Sequence, residues 1–154
     1  MTKNFLLRWI NFWPPFFGTG IRVKHIAKDF TRIDVEMKLR FWNKNYVGTQ
    51  FGGSLYAMVD PFYMLILMEN LGREYIVWDK AAEIRFENPG RGRVRASFHL
   101  SQEQIAQVKE QADNLGKFEP VFTVQVFDDN GIIIATVNKT LYIRRKDAVK
   151  PEKG

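Results

Sequence analysis

Ile33, Val35, Met37 and Leu39 alternate with Asp34, Glu36, Lys38 and Arg40, a period of two that predicts a half-buried β-strand. Ile21, Val23 and His25 predict a preceding strand, and the short polar segment 28–31 joins the two as a hairpin. The period then changes. Across residues 54–70, Leu55, Met58, Val59, Phe62, Leu65, Ile66 and Met68 recur at helical spacings, and the segment is apolar almost all round, so a long buried helix is expected. Period two returns in Ala82, Ile84 and Phe86, and again beyond Pro89-Gly90 in Val94, Ala96, Phe98 and Leu100, which predicts a second hairpin. Ser101 with Gln104 fits a capping box for an amphipathic helix carrying Ile105, Val108, Ala112 and Leu115 on one face and ending near Gly116. Phe122, Val124 and Val126, the turn Asp128-Asp129-Asn130-Gly131, and Ile133, Ala135, Val137, Leu141 and Ile143 predict a third hairpin.

Three hairpins around one apolar helix make an α+β domain, an antiparallel sheet wrapped around a long central helix. No Ser/Gly-rich linker, repeat or low-complexity run divides the chain, so residues 1–145 are expected to form one domain. An N-terminal helix is expected over residues 4–18, with Leu6, Leu7, Ile10 and Trp13 on one side and Trp9, Phe12, Phe16 and Phe17 widening the apolar surface. Arg8, Asn11 and Pro14-Pro15 interrupt it, so it does not span a bilayer; packing on the domain and lying at a membrane interface both fit. Residues 146–154 are charged, contain Pro151, and read as a flexible tail.

The 154 residues carry 23 basic and 17 acidic side chains, a net +6 that favours anionic partners. Without cysteine, disulfides, thiolate metal sites and Cys nucleophiles are excluded, and His25 and His99 belong to no paired metal motif. Catalysis in such a chain falls to carboxylate, amide and backbone groups. The basic residues are scattered among acids with no aromatic-basic motif, so no nucleic-acid partner is expected.

The chemistry concentrates at the start of the apolar helix. Gly52 and Gly53 stand where loop becomes helix, a place where a backbone or ligand approaches closely and the first N–H groups lack internal partners. Asp60, seven residues beyond Gly53, returns after about two turns to the same face. A carboxylate on an apolar helix is neutral, hydrogen-bonded or open to a cavity, and Pro61 predicts a kink beside it. Close packing alone accounts for the glycines equally well, and a neighbouring hydroxyl for the aspartate.

The run Asn45-x5-Phe51-Gly52-Gly53-x6-Asp60, followed by Phe86-Glu87-Asn88-Pro89-Gly90 and the inserted helix after Ser101, resembles hotdog-fold acyl-CoA thioesterases of the PaaI-like branch, in a sub-branch catalogued as a domain of unknown function. The resemblance covers residues 21–145. It implies that Asp60 is general base or nucleophile toward a thioester, that the Gly52 N–H polarises the thioester carbonyl, and that Asn45 places substrate or water. A helix N-terminus would stabilise the oxyanion of such a reaction. Gly53, Phe51 and Tyr56 would border the substrate, and Arg91 and Arg93 would meet the phosphates of coenzyme A, although an outward arginine row is also an ordinary solvated strand face.

Two positions depart from the family pattern. Where relatives commonly have histidine before the two glycines this chain has Phe51, and near Asp79 it lacks the hydroxyl of a family Ser or Thr. An inactive module binding an acyl ligand is therefore the alternative to a hydrolase. No cofactor is expected beyond coenzyme A as part of the substrate. The resemblance further implies a homodimer, with Asn45 and Gly52 from one chain and Asp60 from the other, and leaves open whether two dimers associate. The missing signal peptide and membrane span point to the cytoplasm.

Overall fold

The computed structural model describes residues 9–148. Six strands form one antiparallel sheet: β1 (Ile21–Ile26), β2 (Arg32–Met37), β3 (Tyr75–Phe86), β4 (Val94–His99), β5 (Val121–Asp128) and β6 (Ile133–Arg145), in the order β1-β2-β4-β5-β6-β3. The first hairpin forms as its alternation demands, with Val23 opposite Val35, and β5 and β6 form the last, with Val124 opposite Val137.

The expected hairpin between β3 and β4 does not form. β3 crosses to the far edge of the sheet and pairs with β6 from Tyr75↔Arg145 to Phe86↔Ala135, while β4 lies between β2 and β5. Alternation reveals a strand but not its neighbour, and Pro89-Gly90 serves a crossing loop instead of a tight turn. That loop hangs on Gln50, whose N–H donates to the Gly90 carbonyl (2.8 Å) and whose side-chain amide donates to the Gly92 carbonyl (2.9 Å).

The apolar helix is two helices, α2 (Gly52–Ala57) and α3 (Phe62–Leu71), with Asp60 in the turn between them. Pro61 has no N–H to continue the first ladder, yet its carbonyl opens the second by accepting from the Leu65 N–H at 2.9 Å. The expected kink is thus a full break. Phe62, Tyr63, Ile66 and Leu67 of α3 are buried against the sheet, where Phe62 and Tyr63 meet Phe98 with ring centroids 4.9 and 5.3 Å apart. α4 (Gln102–Leu115) has the capping box expected of it: the Gln104 N–H donates to Ser101 Oγ at 3.1 Å and the Ser101 N–H to Gln104 Oε1 at 2.9 Å.

Among the described residues the N-terminal segment is broken and is not one continuous helix. A 3-10 turn (Ile10–Phe12) and α1 (Pro14–Thr19) are parted at Trp13, whose ψ of 126° is extended because a residue before proline is driven out of the helical region. The part over residues 4–8, with Leu6 and Leu7, lies outside the described residues. Lys146 and Ala148 bond back to Glu74 and Arg145 through backbone N–H groups, so the chain remains held at the first residues of the expected tail. Residues 149–154 are outside the description. Among the described residues no helix is long and apolar enough to cross a membrane.

Candidate active site

Asp60 sits in the helix break with its side chain 47% exposed. Its Oδ1 accepts from the Tyr56 hydroxyl at 2.9 Å and from Lys139 Nζ at 2.9 Å. Tyr56, one turn before Asp60, therefore fixes the carboxylate. Its hydroxyl in turn accepts from Lys139 Nζ at 3.2 Å, and burial raises its pKa above the ordinary value of 10.0.

Lys139 was not anticipated. It lies on the core face of β6 in the alternation Val137, Lys139, Leu141, Ile143, with 0% of its side chain exposed. An ammonium buried so completely must be paired. It is paired twice, with Asp60 and, at 3.0 Å, with Asp79 Oδ1 on β3. Burial alone would lower its pKa, but the bonds with Asp60, Asp79 and Tyr56 outweigh that and raise it above 10.5, so the cation stays charged. For Asp79 the balance goes the other way: burial raises its pKa above 3.8 despite the nearby ammonium. Asp79 keeps its register opposite Leu141, immediately before an irregularity at Lys80, and its carboxylate reaches Lys139 on the neighbouring strand. The signal for Lys139 was present in the sequence, as one long cation in an apolar register.

The glycines have a packing role. A Cβ on Gly52 would lie 3.0 Å from the Phe86 ring, and one on Gly53 would lie 2.7 Å from Phe51 Cε1. Gly52 thus faces the C-terminal end of β3, opposite Ala135, whereas Asp60 faces Lys139, four residues further along β6 and about 13 Å away at strand spacing. Because α2 ends before Asp60, the helical turn count that placed glycine and carboxylate on one face does not carry through the break.

Asn45 uses its whole side-chain amide locally. Nδ2 donates to Thr49 Oγ1 (2.8 Å) and the Gln50 carbonyl (3.3 Å), and Oδ1 accepts from the N–H groups of Val47 (3.1 Å) and Thr49 (2.9 Å). It shapes the loop that delivers Phe51. Trp42, Asn45, Tyr46, Phe51 and Ser54 line an open hollow of about 560 Å³ at the start of α2. Arg91 and Arg93 precede β4 and are not on a strand; they line a separate hollow with Asp129. Arg93 Nε bonds both oxygens of Asp129 at 3.2 Å, with Glu36 3.7 Å from another guanidinium nitrogen, so its charge is already answered within the chain.

A family model described as domain of unknown function DUF4442 matches residues 2–143. The chain belongs to this family. Solved structures share the architecture of this DUF4442 protein. A Pseudomonas aeruginosa protein described as of unknown function and a probable thioesterase superposes with a TM-score of 0.81 at 19% identity, over 94% of this chain and 97% of that one. A Haemophilus influenzae thioesterase gives 0.68 at 14% identity, over 98% and 96%. A Chlorobaculum tepidum protein with unknown function gives 0.72 at 17%, over 94% and 92%. The DUF4442 chain has the hotdog fold that these thioesterases share. No curated protein matches it in sequence.

Proposed function

We propose that this protein hydrolyses acyl-CoA or a related thioester, with Asp60 directing the attack of water. The observation that carries the reading is a carboxylate half open to solvent, aimed by a tyrosine hydroxyl and a buried, charged lysine at a break in the central helix. Asp60 accepts a proton from water as the water oxygen bonds the thioester carbonyl carbon. The C–S bond then breaks, and the departing thiolate takes up a proton to leave an acid and a free thiol. The Gly52 N–H, at the first turn of α2, supports the developing oxyanion.

Gly52 and Asp60 lie at different stations along β3, so the reading needs two chains. β3 pairs with β6 on one side only, leaving a twelve-residue strand edge open. An open edge of that length is a template for another strand. Two β3 strands paired antiparallel about a two-fold axis at Ala82, each Ala82 opposite its copy, would bring the Phe86 end of one chain, with its Gly52, beside the Asp79 end of the other, with its Asp60.

Phe51 supports the second reading, an acyl-binding module without turnover, because it puts an apolar ring beside the glycines where a polar group would assist catalysis. Thiol release from a panel of acyl-CoA thioesters separates the two. Wild type should turn over at least one member, and Asp60→Asn should slow it by about 10²–10⁴-fold. Equal rates in wild type, Asp60→Asn and Asp60→Ala would exclude the base, and binding without turnover in wild type would establish the module.

A further inference from the structure

Asn11, Phe16 and the outer edge of β1 hold the N-terminal segment in one orientation. The Asn11 amide donates to the Val23 carbonyl at 3.2 Å and accepts from the Val23 N–H at 2.8 Å, pairing with β1 as a strand residue would. Phe16 is buried and its ring meets Phe62 at 5.8 Å. With those two side chains anchored, Phe12 and Phe17 are turned outward, 67% and 68% exposed, beside Trp42 at 53%. Phe12 and Phe17 on this mount are explained neither by the core nor by the hydrolytic site, and Trp42 borders both their groove and the Asn45 hollow.

The charge around them is mostly basic among the described residues. Phe12, Phe17 and Trp42 share a groove of about 750 Å³ with Arg22, Lys38 and Arg40. Arg40 lies over the Trp42 ring at 5.3 Å. Among the described residues the one carboxylate lining the groove, Glu36, is engaged by Lys24 at 3.4 Å and Arg93 at 3.7 Å. Among the described residues, Arg22, Lys38 and Arg40 have no carboxylate within ion-pair distance.

We infer that this face docks on the surface of an anionic phospholipid bilayer, with Phe12, Phe17 and Trp42 entering the headgroup boundary and Arg22, Lys38 and Arg40 meeting lipid phosphates. Amphipathic helical segments with aromatics among basic residues lie in the interface plane in this way, through apolar burial together with attraction to anionic lipid. The sequence leading into the segment, with Lys3, Phe5, Leu6, Leu7 and Arg8, continues the same composition. β1 is the sheet edge opposite β3, so strand pairing through β3 leaves this face outward. The groove meets the Asn45 hollow at Gly18 and Trp42, which would set the entrance of an acyl site beside the lipid. Docking itself does not depend on the hydrolase reading.

Co-sedimentation with vesicles tests it, using phosphatidylcholine alone and phosphatidylcholine mixed with phosphatidylglycerol. Wild type should pellet with the mixed vesicles and be released as salt rises. Arg22→Glu/Lys38→Glu and Phe12→Ser/Phe17→Ser should each lower the bound fraction by about tenfold or more, with native mass and melting temperature unchanged. Wild type left in the supernatant with mixed vesicles would overturn the inference, as would binding that ignores the charge reversal. A native mass that the Phe12→Ser/Phe17→Ser pair halves would assign the face to a second copy instead. Displacement from vesicles by a single-stranded oligonucleotide that binds more tightly would assign it to nucleic acid.

Discussion

Lys139 decides the electrostatics of the candidate site, and its removal exposes what it compensates. Burial holds the Asp79 carboxyl above 3.8, and Lys139 is the charge that opposes that rise. A carboxyl whose pKa is raised by folding binds its proton more tightly folded than unfolded. The stability it lends is complete below its unfolded value and is lost as pH rises through the raised one. Lys139→Met removes the opposing charge and leaves the burial, so the loss should be larger at neutral than at acidic pH. Breaking a buried pair costs about 3 kcal/mol at the low end of its range, the end that applies here because Asp60 is open to water. Melting temperatures at pH 7 and pH 4 check this, and equal losses at the two would contradict it. Asp60, Gly52 and a neighbouring hydroxyl for the carboxylate, which is that of Tyr56, are legible in the sequence, but the charged partner of Asp60 is not. Lys139 is 79 residues away, and only the pairing of β6 brings it under the helix break.

At the scale of elements, local signals were read well where the interaction is itself local. Ser101 and Gln104 are three residues apart and close their box as the spacing says. Ser101→Ala should lower stability by about 1 kcal/mol and leave thiol release unchanged, since α4 carries no site residue; thermal melts with a parallel turnover assay check it. Pro61 likewise announced a disruption, and it appears as the turn that presents Asp60. The β3–β4 hairpin failed because a strand's partner depends on the whole sheet, and here the open edge of β6 took β3. The N-terminal helix failed for a local reason that was visible, the effect of Pro14 on Trp13, outweighed by an apolar pattern that runs through the break.

At the scale of the molecule, the proposed hydrolytic site requires two chains. The hotdog sheet ends in the free edge of β3; Gly52 lies against Phe86 at one end of that strand, and Asp60 is held by Lys139 four residues further along β6 from the partner of Phe86. Two 18.1 kDa chains should run as a particle of about 36 kDa in light scattering after gel filtration. Subunit complementation is the most direct test. Asp60→Asn removes the base from both sites of its homodimer, and Gly52→Val drives a branched side chain into Phe86 and blocks both oxyanion donors. If each site takes its amide from one chain and its carboxylate from the other, a heterodimer holds one intact site, and equal mixing should restore about a quarter of wild-type thiol release. Two inactive homodimers that stay inactive after verified subunit exchange would contradict a site shared between chains.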